Sequence, residues 1–295
     1  MNHCNACCRM ALVPALLLCA TAFAAEWGYD ANVGLEHTDN ASNAIDKDDR
    51  KSDTAATMRL SGGLHQQLGD NTGLGFSLIG ESVGSFQYSG LDNIGLGARL
   101  QLRHKFGLGP EAPWAAFALR ALHRDYNYDY RDGWQYDAGL STGRRIGERW
   151  EVSASALYDR YEADRLQREA LPGISSAAYD VAGWTLGAQA AFLMTEVDTL
   201  SFSGTWRHGT FTAVTPPDFE ILEYSSAVAL DPVFSGNPIA YRIKADADTL
   251  AINWTHALGR YASVNLGYAY RRTQDDEDLG AYTANMINLS VSYSR

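Results

Sequence analysis

From residue 27 onward, apolar and polar side chains trade places with a period of two, in stretches of about ten residues. The first stretch, Trp27 to His37, carries Trp27, Tyr29, Ala31, Val33 and Leu35 in one register. Met58, Leu60, Gly62 and Leu64 mark a second, Leu74, Phe76 and Leu78 a third, and Ile94, Leu96, Ala98, Leu100 and Leu102 a fourth. The pattern returns at Phe117, Leu119 and Ala121, at Tyr136, Ala138 and Leu140, and at Trp150, Val152, Ala154, Ala156 and Tyr158. It continues through Ala182 to Ala190, Leu200 to Trp206, Val264 to Tyr270 and Ile287 to Tyr293. Successive side chains of a strand point to opposite faces, so each set lines one surface.

One segment is ambiguous. Leu250, Ile252 and Trp254 set its register, yet Lys244, Asp246 and Asp248 share their parity. Either these charges stand above an apolar belt, or a bulge near Ala247 switches the faces. Counting this segment, twelve strands are predicted, joined by five short and six long connections in alternation. The short ones fall at 68–71, 107–113, 145–148, 195–198 and 258–260, and each holds Gly, Asp, Asn or Pro, residues suited to turns. Both termini then share the short-turn side. The faces opposite the apolar ones carry glycine, serine, glutamine and arginine. Apolar outside and wet inside describes an antiparallel up-and-down β-barrel in a membrane. The competing fold is a soluble sandwich, which would place its polar faces outward.

The N-terminus breaks the pattern. A short polar stretch ending at Arg9 precedes an apolar run, Ala11 to Ala20, and Ala22-Phe23-Ala24 forms an A-x-A site. This is the layout of an export signal, with cleavage expected after Ala24 and a barrel over 25–295. Lipidation at Cys19 is the rival reading, with Leu18 where such signals place a small residue. All four cysteines, Cys4, Cys7, Cys8 and Cys19, lie in this segment, so no disulfide is expected in the exported chain. Beyond it no apolar run reaches the ~18 residues of a spanning helix. The mean hydropathy of -0.25 suits strands that alternate. A net charge of -11 excludes nucleic acid as an expected partner.

Trp27, Trp114, Trp134, Trp150 and Tyr293 stand at predicted strand ends, where amphipathic rings settle at the level of lipid headgroups. Trp184, Trp206 and Trp254 fall further in. The segment Val33-Gly34-Leu35-Glu36-His37-Thr38-Asp39-Asn40 resembles the first strand and loop of many Gram-negative outer-membrane barrels. The last segment, Asn288 to Arg295, is similar to a barrel-assembly signal but ends Ser-Arg where an aromatic residue is usual. That resemblance implies a bacterial outer-membrane location. The expected surroundings are outer-membrane lipids, lipopolysaccharide and the barrel-assembly machinery.

No nucleotide, serine-hydrolase or metal motif is present, and neither cofactor nor metal is expected. Gly95 and Gly97 form a G-x-G inside a strand, which reads as small residues on an inner face. Strand parity turns a basic ladder inward: Arg59, Arg99, Arg103, Lys105, Arg120, Arg124, Arg207 and Arg271. Such a ladder favours anions, because a low-dielectric wall focuses the field. Glu81, Asp137, Glu151 and Asp159 share that face and are candidate partners for the arginines. Twelve strands lie between filled barrels and open porins. A narrow channel for small, anionic solutes is therefore the leading reading, and a plugged structural or adhesive barrel the second.

A lipid hydrolase is the third reading. It requires His37, His123 or His208 to meet a serine such as Ser82 or Ser85 near the rim. The connection within 209–240 is unusually apolar, with Phe211, Phe219, Ile221, Leu222, Val228 and Phe234 beside Pro216-Pro217. It is expected to constrict the lumen, to offer a docking surface, or to remain a mobile loop. The acidic runs at 46–49 and 275–278 read as solvated loop charge, with cation bridging of lipopolysaccharide as the sharper alternative.

Overall fold

The computed structural model describes residues 25–165, 174–236, 238–276 and 280–295. The expected export signal, 1–24, lies outside them, as do Glu277 and Asp278 of the second acidic run. A single antiparallel sheet curls until its ends meet. Its strands are β1 (Ala25–Thr38), β2 (Asp53–Gly69), β3 (Thr72–Ser85), β4 (Asn93–Lys105), β5 (Trp114–Tyr126) and β6 (Gly133–Ile146). They continue as β7 (Trp150–Ala163), β8 (Val181–Leu193), β9 (Asp198–Thr215), β10 (Ala227–Leu230), β11 (Ile239–Ala257), β12 (Ala262–Asp275) and β13 (Ala281–Ser294). β1 pairs with β13, and β9 pairs with β11, which closes the ring. β10, four residues long, edges the upper part of β11. The other twelve strands have 13 to 19 residues, enough to span a bilayer when tilted. Among the described residues there is no second sheet, and the closed ring excludes the sandwich fold.

The outward face is the apolar one. Leu78, Ile94, Leu96, Leu140 and Leu250 are each more than 60% exposed, in a band that runs round the barrel. A soluble protein does not leave such a surface to water. A closed barrel satisfies every ladder hydrogen bond internally, so this surface is compatible with lipid. β11 pairs with both neighbours without a register shift. Lys244, Asp246 and Asp248 therefore stand on the outer face, beyond the apolar belt, and no bulge exists there.

Trp27, Trp134, Trp150 and Tyr293 point outward near strand ends. Trp114 does not. It shares the inward parity of Arg120, and the Arg103 guanidinium lies 4.5 Å from the centroid of its indole. Its position at a strand end suggested a girdle, but parity decides the face. Trp184 is the fourth residue of β8 on the long-loop side and Trp254 the fourth from the short-turn end of β11, while Trp206 falls at the middle of β9. Trp254 Nε1 donates to Asp198 at 3.1 Å.

The densest apolar core lies among the long loops. Ala163, Ala178, Tyr179, Val214, Ala229, Phe234 and Ala240 pack together there, with Tyr88, Leu91 and Tyr128 against them. The 39–52 connection crosses the mouth to the free edge of β9. Val214 N–H donates to Ser42 O at 2.8 Å, and Asn43 Nδ2 to Thr212 O at 3.1 Å. Asn43 has φ of 53°, a left-handed conformation that asparagine tolerates. The connection after β9 holds a short helix, α1 (Phe219–Tyr224), then β10 and a strap from Asp231 to Gly236. The strap reaches the far rim, where Phe234 packs on Tyr88 with centroids 4.8 Å apart. The apolar connection thus folds over the lumen as part of a cap.

Candidate functional site

The lumen begins as rows of residues in register across neighbouring strands. One row runs Arg59, Glu81, Gly95, Arg124. The next runs Ser77, Arg99, Arg120, Asp137, Asp159, Gly183. Glu81 is almost fully buried and gathers three arginines. Arg59 Nε donates to it at 2.7 Å, Arg124 Nη2 at 2.6 Å and Arg120 Nη1 at 3.3 Å. Arg120 also donates to Asp137, and Arg124 to Asn93 and Gln135. On the opposite side Arg207 Nη2 donates to Asp159 at 2.7 Å.

Register and one glycine set these reaches. Arg124 meets Glu81 two strands away, with Gly95 between them in register and Leu122 over that glycine. Arg207 extends over Gly183, where an added Cβ would lie 2.8 Å from the Arg207 Cζ. The G-x-G of β4 has a packing role as well. Leu122, fully buried, fills the space above both glycines, and a Cβ at Gly97 would lie 2.2 Å from Ala121 O.

The basic ladder therefore divides. Arg59, Arg120, Arg124 and Arg207 are each paired with a carboxylate, four guanidiniums sharing Glu81, Asp137 and Asp159. Arg271 is drawn up to the cap, where Nη2 donates to Asn43 Oδ1 at 2.6 Å. Arg99 lies opposite Arg120 in register, and like charges so placed repel. Arg120 is pulled away by Glu81 and Asp137. Among the described residues no carboxylate forms an ion pair with Arg99, Arg103 or Lys105, which run from the middle of β4 to its short-turn end. Glu151 is also near the short turns, exposed, and takes no part in the Glu81 or Asp159 clusters.

Above the clusters a chamber of about 450 Å3 lies between the barrel wall and the cap. Arg124, Gln135, Asp159, Tyr161, Arg207 and Asn43 line it. Its roof is tied by Arg131 and Asp231, the latter with no exposure at all. Asp231 charge and burial together set the behaviour of the loop groups nearby. The Tyr128 phenol, which donates to Leu230 O at 2.7 Å, is pushed up to about 12, chiefly by burial and then by Asp231. Tyr179, stacked under Arg131, is pushed up by burial too.

The histidines meet no serine. His37 Nδ1 lies 2.9 Å from Thr54 Oγ1, His123 Nε2 3.1 Å from Asp164 and His208 Nδ1 2.8 Å from Asp246. Ser85 Oγ donates to Asp53 at 2.6 Å. The arrangement that a serine hydrolase needs is not assembled from these residues.

Sequence reasoning missed the cap anchors Arg131, Asp231, Tyr128 and Asn43. Their partners are some 100 or more positions away, so no local spacing marks them.

No family model and no curated protein matches the chain. Among solved structures, an outer-membrane channel from Pseudomonas putida F1 superposes with a TM-score of 0.57. The two are 14% identical, over 94% of this chain and 97% of that one. The NanC porin gives 0.46 at 12% identity, covering 90% and 98%. An anion-selective porin from Comamonas acidovorans gives 0.43 at 8%, covering 93% and 100%. The chain has the fold of a bacterial outer-membrane β-barrel, similar to the first of these.

Proposed function

We propose that the protein is a narrow outer-membrane channel for small solutes, with a preference for anions set in its short-turn half. The observation that carries this reading is the split ladder. Arginines at mid-lumen are held by Glu81, Asp137 and Asp159, while Arg99, Arg103 and Lys105 face the water without ion-pair partners among the described residues. Inside a low-dielectric wall, a passing anion meets positive charge there that no ion pair holds, although Asp30 lines the same cavity as Arg99. The outward belt supports a lipid setting, with lipopolysaccharide around the long-loop rim and the final strand as the element offered to the assembly machinery. Residues 1–24 are removed on export in this reading, so N-terminal sequencing of the membrane form returns Ala25 first.

Planar-bilayer recording tests the channel. Wild-type protein gives current that prefers chloride over potassium. The double variant Arg99→Glu, Arg103→Glu reverses that preference. An Arg120→Glu variant acts differently, because it strands a carboxylate beside Glu81 and Asp137 and destabilises the barrel. A second reading, a plugged structural barrel, draws on the paired mid-lumen arginines and the cap. Silence of the folded protein at all voltages and pH values establishes that reading instead.

A further inference from the structure

No sequence spacing marks a metal site, yet the fold brings three ligating groups together outside the lumen. β9 and β11 place His208 opposite Asp246 in register on the outer face. The backbone N–H of Asp276 donates to Lys244 O at 3.1 Å, which fixes the start of the β12–β13 connection against β11. One ligand atom from each of His208, Asp246 and Asp276 then lies within 4.8 Å of the others. An open groove of about 590 Å3, floored by Trp206, faces these atoms.

We propose that this groove is a binding site for a divalent transition-metal ion, held by His208, Asp246 and Asp276. The donor set decides the class. One imidazole nitrogen with two carboxylate oxygens suits zinc, nickel or cobalt, whereas calcium and magnesium prefer oxygen alone. Three protein ligands facing a groove leave at least one position for water or an exogenous oxygen ligand. His208 Nδ1 and Asp246 Oδ1 already lie 2.8 Å apart, a contact that the proton of the imidazole holds until an ion displaces it, and the convergence of Asp276 on this pair supplies the third ligand.

Lys244 is the local competitor. Its ammonium lies 2.9 Å from Asp276 Oδ2. The lysine is well exposed on a flexible stem, and a dication replaces one positive charge with two. Asp248 adds a further acid on the same outer face, against Arg272, so the groove remains net acidic with both bases present. A bound ion cross-links β9, β11 and the β12–β13 connection at the rim that carries the cap.

The protein supplies its own reporter. Trp206 lies nearly parallel to His208, with centroids 6.0 Å apart and planes at 15°. The test uses the full barrel in detergent, its folding checked by circular dichroism. Zn2+ is titrated calorimetrically, and Ni2+ is titrated against tryptophan fluorescence. The site gives one saturable event and quenching that Trp206→Phe reduces. His208→Ala weakens binding at least about tenfold, the scale on which even outer-shell losses act. Asp276→Asn weakens it as well, and Lys244→Ala tightens it. Absence of saturable binding overturns the proposal. So does equal affinity in wild type and His208→Ala, or equal binding of Ca2+ and Zn2+, which marks solvated carboxylates only.

Discussion

Single side chains settle the long-loop rim through a recurring device. Asp92, Asp132 and Asp180 each close a 3-10 turn just before a strand, and each accepts a backbone N–H from the end of the preceding strand. The donors are Ser85, Tyr126 and Ala163, at 2.7, 2.6 and 2.8 Å. Asp132 is held above its ordinary value, first by burial and then by neighbouring acids including Asp125, Asp129 and Asp164, despite the bond from Tyr126. Ionisation of Asp132 is thus harder in the folded rim than in an unfolded chain. Asp132→Asn keeps an accepting oxygen and is expected to leave thermal stability unchanged, while Asp132→Ala loses about 1 kcal/mol. Melting curves of the two variants check this. Glu81 is the opposite case, since removing it leaves Arg59 and Arg124 without a carboxylate and Arg120 with Asp137 alone. Glu81→Gln is expected to cost about 3 kcal/mol and to raise anion conductance. A stable variant with unaltered current counts against the gathered cluster as a constriction. Parity made the inward direction of these arginines legible, but it carried no information on which glycine they cross or which acid they reach.

At the scale of elements, the strap is the part expected to govern access. Its anchors are the Arg131–Asp231 pair, Phe234 on Tyr88, and Val233 over Gly90, where a Cβ would lie 2.6 Å from the valine. Arg131→Ala leaves a wholly buried carboxylate without its cation, which costs about 3–5 kcal/mol locally. The expected outcome is longer open times in single-channel recording, with the barrel itself intact by circular dichroism. Alkali acts on a neighbouring contact, the bond from the Tyr128 phenol to Leu230 O. Tyr128 ionises at a higher pH in the folded cap than in an unfolded chain, where the usual value is 10.0. Its contribution is whole below pH 10 and is lost as pH rises through about 12. Open probability should therefore climb across that window, and less so in Tyr128→Phe. The apolar content of this connection was visible along the chain. Its landing place was not, because Tyr88 and Arg131 belong to other hairpins.

Over the whole molecule, the usual order of a globular protein is turned inside out. Apolar side chains face outward along the wall, charges and glycines face inward, and the tightest apolar packing sits in the cap. The purified chain is accordingly expected to stay folded and dispersed in detergent and to aggregate when detergent is removed. A compact monomer in plain buffer contradicts the membrane setting. Length and alternation determined the twelve strands of the ring, though not β10, together with their faces and the side on which the termini meet, because a pleated strand of period two and a closed ladder leave few other solutions.

What the alternation did not contain was decided by closure. Curling the sheet brings β9 beside β11, sets Arg207 across Gly183 from Asp159, and draws His208, Asp246 and Asp276 into one groove. Trp114 shows the boundary between the two kinds of information. Its place at a strand end was evident along the chain, while its stacking partner, Arg103, came from the neighbouring strand. Periodicity is a local property and survives in one dimension. Pairing of charges, the reach of an arginine and the path of a loop across a mouth depend on distances that exist once the ring has shut.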